Sequence, residues 1–351
     1  MKLAKPDRRV SNASILNLQR PWSVRVVSRL PAWIHSFRSQ LSQDRHEIAT
    51  ISLCELPTEI LQYIASLLPI GSAASLALCS HFLYHVIGSQ YWRALRQENQ
   101  STEKRDFLSY LERDLSSFVF CYRCIQLYHR NPIEGPRYQY RWHRERQCIQ
   151  EDGVITELAP SYYLKYQHVQ LAMKSHRFGP TRGIPLTSLA YTYSRLRQDS
   201  WLQVVLRARI PADELLVRAQ YTVFTWRSHP NIDRVRFDIR QVCPHLVTTC
   251  YDENLLTQLL VCRLDHLDNP ACLKCTGLKQ CQYCPTEFQI EIEDFGDMDT
   301  AVLVTVWKNF GTGTTPLDLK WRAQVHSNDN NPLICRLFDF VPGSIRSAFE
   351  D

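Results

Sequence analysis

The spacing of apolar residues divides the chain into a helical first part and a strand-rich second part. Ile60, Leu61, Ile64, Leu67 and Leu68 recur at i, i+1, i+4, i+7 and i+8, which is one apolar stripe on a helix. Leu56-Pro57-Thr58-Glu59 opens that helix. Proline suits a first turn because its missing N–H would have no partner there, and Glu59 faces the positive end of the helix dipole. Pro69 and Gly71 are expected to stop the helix, with Ser72 capping a second that runs through Leu76, Leu78, Cys79, Phe82 and Leu83. Gly88 separates it from a third, with Tyr91, Trp92 and Leu95. Residues 52–98 thus read as three short helices. A unit this small is marginal alone. Its Leu and Ile side chains, worth about 1.5–3 kcal/mol each when buried, invite a partner chain.

A further amphipathic helix is expected over 102–115, with Phe107, Leu108, Leu111 and Leu115 on one side, as a linker within 99–117. Beyond it the period changes. Residues 202–210 and 215–226 read as strands flanking Pro211-Ala212-Asp213. The clearest hairpin pairs 288–293 with 301–308, because Phe288, Ile290 and Ile292 alternate strictly with Gln289, Glu291 and Glu293. Such a strand buries one face and wets the other. Gly311-Thr312-Gly313-Thr314 reads as a turn and lacks the lysine and spacing of a phosphate-binding loop. The expected class is α+β: a three-helix N-terminal unit, then a mixed, β-rich, cysteine-containing domain over 118–351.

Composition adds limits to this picture. With 351 residues, 44% hydrophobic and 22% charged, the chain can bury a sizeable core. It has no apolar run of about 18 residues, the length a membrane helix needs. The net charge of +6 sits wholly in residues 1–49, which hold nine Lys/Arg and three Asp/Glu; the rest is balanced. A neutral body argues against nucleic-acid binding. The basic aromatic stretch Pro136–Arg146 is one short segment and reads as a solvated loop rather than a stacking surface. The Ser- and Arg-rich residues 1–49 read as a disordered extension. A mitochondrial leader is the alternative, because acid-poor amphipathic Arg/Ser segments have that signature.

Residues 56–68, together with Leu76-Ala77-Leu78-Cys79-Ser80, resemble an F-box. The Leu-Pro-x-Glu-Ile-Leu-x-x-Ile opening and the Leu-x-Leu-Cys-Ser second segment carry the likeness. Pro69-Ile70-Gly71 departs from it, standing where many F-boxes have an acidic residue. A weaker likeness to fungal F-box proteins runs from 52 to about 325, through Phe107-Leu108, Leu111-Glu112-Arg113-Asp114-Leu115, a Cys-x-x-Cys segment and Cys284-Pro285-Thr286-Glu287-Phe288. The resemblance implies a client-recognition subunit of an SCF-type (cullin–RING) ubiquitin ligase and no enzyme. Leu56, Pro57, Ile60, Leu61, Ile64 and Leu67 would dock the Skp-type adaptor, which joins the cullin, and the body would hold an unknown client protein. The alternative is a zinc-stabilised interaction module outside any ubiquitin ligase.

Thirteen cysteines, read in a reducing compartment, point to metal rather than disulfides, and so to cytoplasm or nucleus. Cys272-x-x-Cys275 and Cys281-x-x-Cys284 are the strongest pair of knuckles and are expected to share one structural zinc. Their five-residue gap is short for that, so Cys243-Pro244-His245 could supply one or two ligands instead. A second candidate site combines Cys121, Cys124, His129 and Cys148. Cys54, Cys79, Cys250, Cys262 and Cys335 stand alone and read as buried apolar residues. The RING arrangement is rejected because its interleaved pairs need short spacings, whereas Cys124 and Cys243 lie far apart. The deaminase pattern fails because Ala271, not proline, precedes Cys272. No nucleophile-elbow, zinc-protease or dinucleotide fingerprint is present.

Overall fold

The computed structural model describes residues 53–97, 101–129, 136, 154–155, 158–196, 200–225, 239, 241–247, 255–266, 272, 274–294, 300–325 and 338–351. The extension 1–49, most of the basic aromatic stretch, and Cys148, Cys250 and Cys335 lie outside the described residues. The chain divides into two compact units between Leu95 and Arg96. It is a mixed α+β protein, helical first and sheet-rich after.

The first unit holds a 3-10 turn at Leu53–Glu55 and four helices: α1 Thr58–Leu67, α2 Ile70–Leu78, α3 His81–Ile87 and α4 Gln90–Ala94. The expected second helix is therefore two. Pro69 stands at the N-cap of α2 and Gly71 is buried inside its first turn, so neither delays the next helix. Ser80 then breaks the run: its hydroxyl accepts from the Leu83 N–H and caps α3. Gly88, at φ 79°, ends α3 as expected. The core joins Leu61, Ala65, Ala73, Ala77, Leu83 and Ile87. The alanines let these short helices approach closely.

The second unit opens with α5, Ser101–Asp114, followed by the hairpin β1 Phe118–Cys121 and β2 Gln126–His129. The expected linker helix thus belongs to the body. Short strands β3 Val154–Ile155 and β4 Leu164–Lys165 precede α6, Tyr166–Phe178. The centre is a six-stranded antiparallel sheet built from β5 Tyr191–Leu196, β6 Ser200–Arg209, β7 Leu216–Thr225, β10 Lys279–Gln280, β11 Thr286–Asp294 and β12 Thr300–Asn309. Its order is β10-β11-β12-β7-β6-β5. Between β7 and β10 lie the small hairpin β8 Gln241–Cys243 and β9 Leu246–Val247, and then α7, Leu255–Asp265. Two short helices close the chain, α8 Leu319–Arg322 and α9 Ser344–Glu350.

The period-two pattern of β11 is realised: Phe288 and Ile290 are buried while Glu291 and Glu293 are exposed. The inner sheet face, with Val204, Val223, Val302, Val304 and Val306, shares one core with Val169, Leu171 and Met173 of α6. The 311–314 turn presses on the same helix. Gly313 takes φ 63°, and a Cβ there would lie 2.9 Å from Met173 Cγ, so glycine is required. On the outer face, α9 covers Leu216 and Trp307 with Ile345 and Phe349. Buried Glu287 accepts from the N–H groups of Gly343 (2.6 Å) and Arg346 (2.8 Å), which holds the start of α9.

A buried charge joins α5 to α6. Lys174 Nζ donates to the carbonyls of Glu112 (2.7 Å), Phe118 (3.0 Å) and Leu115 (3.3 Å), and lies 3.4 Å from the Glu112 carboxylate. Burial pushes the Glu112 carboxyl above its ordinary value, and the Lys174 charge opposes that. Removing one partner strands the other, so Lys174→Met is expected to cost about 3–5 kcal/mol in urea unfolding of the full chain. A loss under about 1 kcal/mol would show that the pair is not closed.

Candidate metal centres and an exposed apolar ridge

Two Cys/His clusters have metal-ligand geometry among the described residues: Cys243, His245, Cys281 and Cys284, and Cys262, His266, Cys272 and Cys275. In each, the four candidate ligand atoms lie within 4.8 Å of one another. A zinc tetrahedron with Zn–S bonds of about 2.3 Å places its sulfurs roughly 3.8 Å apart, so both clusters have the right scale. Each offers three thiols and one imidazole, a standard structural zinc set.

The expected Cys272/Cys275/Cys281/Cys284 quartet is therefore divided between two places. Lys279-Gln280 forms strand β10 against β11, and this extended stretch separates the knuckles on either side of it. The pairing along the chain is nested: the outermost pair joins the last, and the two middle pairs join each other. A RING finger interleaves its pairs instead.

The first cluster brings two hairpin tips together. Cys243 ends β8 and His245 follows in the turn to β9; Cys281 and Cys284 sit in the turn from β10 to β11. The Tyr283 N–H donates to Cys281 Sγ (3.4 Å), the Cys281 N–H to the Thr286 carbonyl (2.9 Å), and the Thr286 N–H to the Cys284 carbonyl (2.7 Å). Gln324 Nε2 braces the same turn at Thr286 Oγ1 (2.9 Å) and the Pro285 carbonyl (3.2 Å). Cys243, Cys281 and Cys284 are all buried. Burial drives the Cys243 thiol up to about 12 and also raises the Cys284 thiol well above its ordinary value. Hydrogen bonds from Cys243 and Cys284 hold Cys281 far below the ordinary thiol value. Three crowded sulfurs with conflicting protonation are a poor resting state without a cation and a good one with it.

Lys308 supplies a second sign that this cluster fits a metal. It is buried on β12, with burial pulling its ammonium down and Cys243, Cys284 and Cys281 pulling it back up. A divalent ion on three thiolates and a neutral imidazole carries one negative charge, which one ammonium balances. Lys308→Met is expected to weaken metal binding at this cluster by about 10- to 100-fold in a chelator competition, the cost of losing an outer partner. Unchanged affinity would remove the counter-charge from the account.

The second cluster pairs a helix end with a knuckle. Cys262 and His266 are four residues apart on one face at the end of α7, so their side chains meet. His266 Nδ1 lies 2.7 Å from the Cys262 carbonyl and 3.5 Å from its sulfur. Cys272 Sγ is 3.9 Å from Cys262 Sγ. Thr276 closes the knuckle, donating to the Cys272 carbonyl from its N–H (3.0 Å) and its hydroxyl (2.5 Å). The backbone N–H of Cys275 draws the Cys272 thiol down to about 7, while burial raises Cys275 to about 11. Cys262 was expected to stand alone. The signal that would have found it is Cys262-x-x-x-His266, one helical turn, with five residues between it and Cys272.

The other cysteine expectations fare differently. Cys121 and Cys124 form a tight turn, with the Cys124 N–H 3.5 Å from Cys121 Sγ. His129, however, pairs with Phe118 and lies against its ring, whereas Cys121 pairs with Gln126. Three strand steps, about 10 Å, therefore separate His129 from the turn, and it is no ligand there. Cys54 and Cys79 are exposed rather than buried.

In the helical unit, Pro57, Ile60 and Leu67 face outward, with Ile60 45% and Leu67 67% exposed. Ile64 is half-buried between them, and the spacing of three, four and three residues makes one ridge along α1. Leu53, Tyr63 and Phe82 add exposed apolar surface. Leu56 is half-buried against the unit's core. Leu61 is 0% exposed and sits inside that core, so it cannot touch a partner; its place in the expected contact set is corrected. The family model for the F-box domain matches residues 53–93, the stretch that carries this ridge.

The chain carries an F-box domain. F-box domains generally bind Skp-type adaptors within SCF-type ligases, and F-box proteins are generally client adaptors rather than enzymes. Comparison with curated proteins and with solved structures returned no match. Among the described residues no helix is long and apolar enough to cross a membrane. Three of the six core residues of this unit are alanines; Leu61 of α1 fills the core beside them, while Ile60, Tyr63 and Leu67 of the same helix stay outside it.

Proposed function

We propose that this chain is a client-recognition subunit of a cullin–RING ubiquitin ligase. The F-box at 53–93 docks the Skp-type adaptor through Pro57, Ile60, Ile64 and Leu67, with Leu56 at the edge, and the adaptor joins the cullin. The body from Arg96 onward carries the client protein, and zinc at the two Cys/His clusters holds the loops of that body in place. Cytoplasm or nucleus is where such an assembly would act. The mechanism is proximity. Two binding surfaces on one chain raise the effective concentration of client near the conjugating enzyme, without chemistry by the chain itself.

The observation that carries this reading is the uncovered ridge on α1 within the matched F-box. A Leu/Ile face of that kind is stable in water only at a cost that a partner helix removes. The test is copurification of adaptor and cullin with the intact protein beside a Leu56→Ala/Pro57→Ala form. Recovery with the intact protein and loss with the variant supports the reading. Equal recovery, or none with either, overturns it and favours an interaction module outside any ubiquitin ligase.

A further inference from the structure

The two clusters have the same donors and different surroundings. At Cys243/His245/Cys281/Cys284 all three cysteines are buried, and only His245 is half-exposed. Its ring lies 5.5 Å from that of Tyr283, tilted by 41°. At Cys262/His266/Cys272/Cys275 the order is reversed: only Cys275 is buried, and the other three ligands are half-exposed. We propose that the chain holds two zinc ions of unequal exchangeability, a closed one on Cys243, His245, Cys281 and Cys284 and an outward-facing one on Cys262, His266, Cys272 and Cys275 that yields to competing ligands while the first is kept. The inference rests on the zinc reading above and adds which residues share an ion and which ion leaves first.

Exchange of a structural zinc needs an incoming ligand to reach the metal and an outgoing one to swing away. Both steps are obstructed at the closed cluster. Its turn is tied into the sheet by the Cys281–Thr286 and Thr286–Cys284 backbone hydrogen bonds, by the Asn309 N–H to the Pro285 carbonyl (3.0 Å), and by Gln324. Buried Lys308 of β12 pairs with Thr286 at the end of that turn. The outer cluster is held by less. Its first pair hangs on the final turn of α7, and its second on a knuckle braced by Thr276. Cys272 and Cys262, both half-exposed residues, hold their sulfurs 3.9 Å apart. The outer zinc therefore exchanges through a local opening of the helix end and knuckle, which leaves β10–β11 and the core standing.

The experiment uses the full chain purified with its zinc. Total metal is measured first, and its release is then followed with a coloured zinc chelator under native conditions. The expected result is two zinc ions per chain, released in two phases, the second at least about tenfold slower. His266→Ala should remove the fast phase and one ion and leave the slow phase unchanged. His266→Cys, which keeps four donors, should restore the ion. Cobalt loading of the unmodified chain should show thiolate-to-metal absorption rising in two steps, which needs no variant to fold. No bound metal and no cobalt thiolate signal would overturn the zinc reading itself. Two ions leaving in one phase would overturn the inequality alone. Loss of the slow phase on His266→Ala would overturn the ligand assignment.

Discussion

Stripping metal from the full chain is expected to lower the melting temperature of the body by roughly 20 °C or more, or to abolish its cooperative transition. The reason is scale. A structural zinc site contributes on the order of 10 kcal/mol of apparent binding free energy, while whole domains are stable by about 5–15 kcal/mol. Here the candidate ligands come from β8, the β8–β9 turn, the end of α7 and both sides of β10, so a metal at each cluster would tie short elements together. At about 2–4 °C per kcal/mol for a domain of this size, loss of even one site is large. The sign with pH follows from the ligands. The metal-bound fold holds its cysteines deprotonated, whereas the unfolded chain without metal binds protons there as pH falls. Stability therefore rises with pH through the range where thiolates form, and acid releases the metal. Calorimetry with and without chelator, with hydrogen exchange over 241–284, measures this directly. An unchanged melting curve after verified metal removal would refute a structural role.

The second large effect is at the F-box ridge. Ile60→Asp together with Leu67→Asp is expected to weaken adaptor binding by at least about 100-fold, with little change in the unit's own stability. Both side chains are exposed in the free chain and would be desolvated against a partner. Leu61→Ala should behave oppositely. It empties a core position at 0% exposure, so it should cost about 2–5 kcal/mol of folding stability and impair binding only through the fold. Titration of purified adaptor, with urea unfolding of each variant, separates the two effects. If Leu61→Ala left stability intact while Ile60→Asp/Leu67→Asp left affinity intact, the inside and outside of α1 would be wrongly assigned.

Legibility followed periodicity. The β11–β12 hairpin and α5 could be read because one face of each is wet and the other dry, so burial writes its period into the residues. Helix α6 was not anticipated. Eight of its thirteen residues are buried, among them His168, Gln170 and Lys174, so its polar positions mark no wet face. Buried polar side chains at such positions have partners elsewhere in the chain, such as Glu112, that no local window contains. The division of one expected helix at Ser80 shows the same limit at short range, since a single capping hydroxyl outweighed a continuous apolar run.

Residue identities alone determined that this chain has an F-box, an alternating sheet and enough closely spaced cysteines for metal, because each of these is a local pattern of type and spacing. Only the tertiary structure decided which cysteines lie together, that Cys262 and His266 lie with Cys272 and Cys275, and that Leu61 turns inward while Ile60 turns out. Those outcomes depend on where strands pair and which side of a helix meets the core. In this protein the pairing of β10 with β11, residues apart in sequence from Cys243 and Cys262, is what sends two adjacent knuckles to two different partners.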